Sequence, residues 1–97
     1  MDIATFKASV ARATPPDELD RPLKALWHAA KGDWDAAHKL VQQDEGEPRH
    51  DWVHAYLHRV EGDLSNAGYW YRRAGKPAAR GALEAEWDAI AFDLLAR

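Results

Sequence analysis

The sequence predicts an all-α fold, and three observations carry that expectation. Alanine occurs 19 times in 97 residues, while valine, isoleucine and threonine together occur only 8 times. That balance favours helix over strand before any pattern is considered. Apolar residues recur at three- and four-residue spacing, which lines one face of a helix. Glycine and proline fall in clusters that cut the chain into helix-sized pieces.

The first piece is short. Asp2 can cap it, and Ile3, Phe6 and Val10 keep helical spacing up to the Thr14-Pro15-Pro16 break, giving a flanking helix over about 2–13. The second starts near Asp20, tolerates Pro22 in its first turn, and carries Leu23, Leu26, Trp27 and Ala30 to Lys31. Gly32-Asp33 then stops it, and Asp33 can cap a third helix bearing Trp34, Ala37, Leu40 and Val41. The loop 44–47 ends at Pro48, which opens a fourth helix through Glu61. Gly62-Asp63 repeats the earlier punctuation, and a fifth helix runs from Leu64 to Ala74. After Gly75-Lys76-Pro77, a last helix over about 78–96 carries Leu83, Trp87, Ile90 and Leu94.

Composition narrows the class. The length suits a single domain over 1–97, and the 46% apolar and 30% charged residues are those of an ordinary globular chain. Without cysteine there is no disulfide, thiolate nucleophile or cysteine-ligated zinc, a usage that suits a reducing, cytoplasmic setting. The opening MDIATFKASV lacks the basic flank and apolar run of a signal peptide, and no stretch approaches membrane-spanning length. A net charge of −3 is a poor match for nucleic acid or an anionic membrane.

The punctuation marks an internal repeat. Residues 27–41, WHAAKGDWDAAHKLV, align with residues 57–71, LHRVEGDLSNAGYWY, at an offset of 30. His28 meets His58, Gly32-Asp33 meets Gly62-Asp63, Ala37 meets Ala67, and Val41 meets Tyr71. Each copy reads as helix, tight turn, helix, with hairpins over about 20–43 and 49–75. A small residue at Ala37 or Ala67 would let the paired helices approach closely. The run Gly62, Asp63, Leu64, Ala67, Tyr71, Ala74 resembles the core of a tetratricopeptide repeat, and Trp70-Tyr71-Arg72-Arg73-Ala74 is similar to the second helix of Sel-like repeats. The resemblance covers residues 51–77 well and 23–43 fairly, with 30 rather than the usual 34 residues per repeat. It implies stacked antiparallel hairpins capped by the flanking helices and serving as a protein-interaction scaffold.

Five histidines raise a metal-binding alternative. His50, His54 and His58 lie four apart along one helix, with Glu61 three residues further on. Histidines at i and i+4 can chelate one zinc-like ion, which makes His54, His58 and Glu61 the candidate ligands, with His28 or His38 able to fold in. His50 and His58 are about two turns apart and could hardly share an ion. Ala55 follows His54, so this is not HExxH and offers no catalytic glutamate. Packing is the competing role: His28 and His58 would bond inside their hairpins, leaving His50 and His54 partly exposed.

The five tryptophans fall in five different helices and suit core filling. Trp52 also begins an i, i+4, i+7 stripe with Tyr56 and Arg59. In the resembled family, such positions of a first helix face a concave groove, so Trp52, Tyr56 and Arg59 are candidates for binding a peptide or carboxylate. The first helix could instead cover that face. Arg72, Arg73, Lys76 and Arg80 gather near aromatic residues, but cations at a helix end also follow from the macrodipole. Ser9 and Ser65 are the only serines, and neither has a histidine nearby in sequence, so no catalytic residue and no enzyme is expected. The sequence therefore points to a cytoplasmic protein- or peptide-binding module with no cofactor. A metal-binding helical protein and a structural homo-oligomer are the alternatives.

Overall fold

A computed structural model describes residues 1–96, and these form six helices with no strand among them. Arg97, which the single-domain expectation also takes in, lies outside the described residues. The helices are α1 (Ile3–Ser9), α2 (Arg21–Ala30), α3 (Trp34–Gln42), α4 (Pro48–Val60), α5 (Leu64–Ala74) and α6 (Leu83–Leu95). The all-α expectation therefore holds.

Aspartates start four of them. Asp2, Asp20, Asp33 and Asp63 each accept the backbone N–H three residues ahead, from Thr5, Leu23, Ala36 and Asn66. The two Gly-Asp turns are built alike. Gly32 and Gly62 take φ of +81° and +86°, the left-handed region where a side chain would be strained. The following amide then closes each helix end, from Asp33 to the His28 carbonyl at 2.9 Å and from Asp63 to the His58 carbonyl at 3.0 Å. These turns fold α2 onto α3 and α4 onto α5. Helix α4 is central: it packs against α2, α3, α5 and α6, while α1 rests on α6.

Two helix limits differ from expectation. Helix α1 stops at Ser9, because its last turn tightens into i→i+3 bonds from Val10, Ala11 and Arg12. The Ser9 carbonyl is engaged there by the Trp27 indole N–H at 3.1 Å. Helix α6 begins only at Leu83 rather than near 78. Gly81 has φ of +85°, and its carbonyl accepts from Arg59, which holds the preceding segment out of the helix.

The main core collects Phe6, Leu26, Val41, Leu57 and Ile90, all fully buried. A smaller cluster of Ala55, Ala67, Trp70 and Tyr71 lies between α4 and α5. No helix of the described residues is long and apolar enough to cross a membrane.

Candidate metal centre

Three imidazoles meet where the two hairpins join. His54 and His58 stand one turn apart on α4, and His38 reaches them from α3. One ligand atom from each can be chosen so that all three lie within 4.8 Å of one another. The Nε2 atoms of His38 and His54 are 3.0 Å apart. Two imidazole nitrogens on one tetrahedral zinc stand roughly 3.3 Å apart, from bonds of about 2.0–2.1 Å. The observed pair thus already has the spacing of one coordination edge.

Two tryptophans wall the cluster. Trp34 stacks on His38 with ring centroids 4.5 Å apart, and Trp70 stacks on His54 at 3.9 Å. The Trp34 indole N–H is itself fixed by the Leu57 carbonyl at 2.7 Å. Asn66 of α5 brings its side-chain amide to 3.4 Å from His58 Nε2. Sequence spacing on α4 reveals the His54–His58 pair, but it is silent on Trp34, Trp70 and Asn66, which arrive by tertiary packing. The one local hint is Trp34-x-x-x-His38, a helical pair that places ring against ring on one face.

Charge favours the ligating form of the rings. Burial, followed by the neighbouring His38 and His58, pushes the His54 pKa down to about 3, so this ring is neutral at physiological pH. Burial and then His58 also lower the His38 pKa, against the acidic pull of Glu61, Glu45 and Asp35. Neutral imidazole is the form that binds metals. His54 is 2% exposed, and its Nδ1 has no hydrogen-bond partner. The nitrogen that meets His38 is the other one, Nε2.

Glu61 occupies a different place from the one expected of a ligand. Its Oε1 lies 2.6 Å from His58 Nδ1, while the other nitrogen of His58 lies 3.4 Å from the Asn66 side-chain amide. A carboxylate in that position fixes the tautomer of a ligating histidine and raises its basicity. His58, Glu61 and Asp63 also bring ligand-type atoms together, with one oxygen of Asp63 serving as the cap of α5.

The remaining histidines stay apart. His50, expected at the surface with His54, is only 3% exposed and bonds Glu47 through Nδ1. The burial of both corrects the expectation of partial exposure, because α4 is packed on several sides rather than one. His28 contacts Trp27 edge-on and does not join the cluster.

The Trp52, Tyr56, Arg59 stripe does not line an open groove. Tyr56 is 7% exposed, and Arg59 pairs with Glu86 of α6 at 3.0 Å while donating to the Gly81 carbonyl. Tyr71 donates to the other oxygen of Glu86, so this buried carboxylate ties α4, α5 and α6 together. The cover over the stripe comes from α6 and the segment before it, not from α1. Trp52 remains half-buried, with the Lys76 ammonium 4.2 Å from its ring centroid. Of the basic cluster, Arg73 bonds the Tyr69 hydroxyl and lies over the Trp70 ring.

No family model, curated protein or solved structure matches this chain.

Proposed function

We propose that this protein binds a late first-row divalent metal ion, with zinc the best fit, through His38, His54 and His58. The observation that carries this reading is the convergence of three imidazoles from two helices, with the Nε2 atoms of His38 and His54 3.0 Å apart. A set of three imidazoles suits zinc, copper or nickel and is a poor match for calcium or magnesium, which prefer oxygen. Glu61 supports the ion from behind His58, and the reading replaces the cofactor-free module expected from the sequence. An ion here would bridge α3 and α4, one helix from each hairpin.

The same proposal treats the hairpins as tetratricopeptide-like, the role as binding rather than catalysis, and the setting as cytoplasmic. Protein or peptide binding is the second reading. It is favoured by the half-buried Trp52, which lines a hollow of about 320 Å³ with Lys76 and Arg80.

Calorimetric titration of the chelator-treated protein with zinc tests the first reading. One ion should bind per chain, and the melting temperature should rise with it. His38→Ala changes a half-buried ring and should abolish tight binding in a folded protein. Glu61→Gln should weaken it by about 10–100-fold. His28→Ala should leave it intact. Absence of stoichiometric binding, or binding that survives His38→Ala unchanged, would leave the three rings as packing residues.

A further inference from the structure

A second site lies on the other side of α4. Helices α1, α2, α4 and α6 surround a hollow of about 360 Å³, within the lower part of the usual range for small-ligand pockets. Its walls are apolar, from Val10, Ala30 and the buried Trp87 ring. Tyr56 also lines it.

The Tyr56 hydroxyl differs from those of the other two tyrosines. The hydroxyls of the other two tyrosines are bonded, Tyr71 to Glu86 and Tyr69 by Arg73. Tyr56 is 7% exposed, yet its hydroxyl has no hydrogen-bond partner among the described residues. The ring is buried while the hydroxyl opens on the hollow, so a ligand there would take the place of water on it. Here the hollow is where a partner would come from.

The charges at the rim decide what that partner is. Glu84 is exposed and has no ion pair among the described residues. Asp88 meets Lys7 at 3.0 Å, so one ammonium faces two carboxylates and the rim is net negative. The phenol registers that field: burial raises its pKa first, Glu86 adds to this, Arg59 opposes, and Glu84 and Asp88 raise it further. An anion would be repelled from such a rim. A cation would meet carboxylates at the mouth and the aromatic side chains of Tyr56 and Trp87 inside.

We propose that this hollow is a binding site for a small organic cation, a primary amine on a short aromatic or branched apolar body. The body rests on Val10, Ala30 and Trp87. The ammonium donates one N–H to the Tyr56 oxygen and directs its remaining charge to Glu84 and Asp88. A primary amine fits better than a quaternary one, since only the former can satisfy the phenol oxygen. The site shares no residue with the histidine cluster, so it stands or falls independently of the metal.

The test is an NMR titration of the full chain with three probes of similar shape: phenethylamine, phenethyl alcohol and 3-phenylpropionate. The amine should give saturable shifts centred on α1, the Tyr56 region of α4 and the start of α6, with at least tenfold tighter binding than the other two. Tyr56→Phe keeps the ring and should weaken amine binding by roughly three- to tenfold. Glu84→Gln alters an exposed side chain, preserves the fold, and should weaken amine binding while narrowing the gap to the alcohol. No saturable shift with the amine, equal binding of all three probes, or an unchanged amine affinity in Glu84→Gln would overturn the assignment.

Discussion

Glu47 shows how one side chain can end a loop and start a helix. It caps α4, accepting the His50 backbone N–H at 3.1 Å and the His50 ring, while Arg49 approaches its second oxygen at 3.5 Å. Burial alone would raise its pKa, but the His50 bonds and Arg49 prevail and hold it at about 2, below the ordinary 4.5. The folded chain therefore binds this proton more weakly than the unfolded chain. Its stabilising contribution is complete above about pH 4.5 and is lost as pH falls towards 2. Glu47→Gln should cost about 1 kcal/mol at pH 7, the usual scale of a lost cap, measured by urea unfolding. Below pH 4.5 the wild type should lose stability more steeply than the variant, and parallel pH profiles would show that the carboxylate adds nothing. Sequence alone marked Pro48 as the start of α4 and passed over Glu47, because glutamate is an uncommon cap and its partner ring lies three residues away in a buried position. The same limit hid the phenol of Tyr56, whose isolation depends on what four helices leave empty.

At the level of the helices, the Gly-Asp punctuation was readable because its chemistry is local. Left-handed glycine and a capping carboxylate need only their immediate neighbours, and both turns form as the pattern implies. Helical spacing likewise revealed His54 and His58 as a pair. What spacing could not reveal is which other helix faces that pair, so His38 entered only as one of two options and Glu61 was placed among the ligands. The Trp52, Tyr56, Arg59 stripe failed for a related reason: one helix's periodicity shows which side chains share a face, not whether another helix covers it. Ala37 and Ala67, matched by the repeat, are both buried, at 0% and 1% exposure. Ala67 belongs to the same small buried cluster as Ala55, Trp70 and Tyr71. Ala67→Leu should destabilise the domain by about 1–3 kcal/mol through overpacking. Because Trp70 leans on His54, the same variant should also weaken zinc binding. An unchanged melting temperature would mean that α4 and α5 can separate to admit the larger residue.

Over the whole molecule, the helices close on themselves rather than extending as an open superhelix. The radius of gyration is 12.2 Å, close to the roughly 12.5 Å expected of a compact chain this long. Closure is the work of the two flanking helices, and α6 is the one that covers the Trp52, Tyr56, Arg59 stripe of α4. Phe6 of α1 is fully buried and stacks on Trp87 of α6, with centroids 5.4 Å apart and planes 5° from parallel. The Trp87 indole N–H then bonds the Leu26 carbonyl of α2, and Trp27 of α2 returns a bond to Ser9 of α1. Sequence-distant ends are thereby locked to the first hairpin by one aromatic pair and two indole bonds. Phe6→Ala would leave a cavity against Trp87 and should cost about 3–5 kcal/mol. Domains of this size have a total stability of only about 5–15 kcal/mol, so the variant should be near its unfolding midpoint at moderate temperature. Thermal unfolding followed by circular dichroism gives the loss directly, and Trp87 would become more accessible to fluorescence quenching. The histidine cluster lies against α3, α4 and α5, away from this clasp, so zinc binding should rescue much of the lost stability. A Phe6→Ala protein that melts like the wild type would show that α1 is an ornament on a four-helix core, and that the closure of the molecule rests on α6 alone.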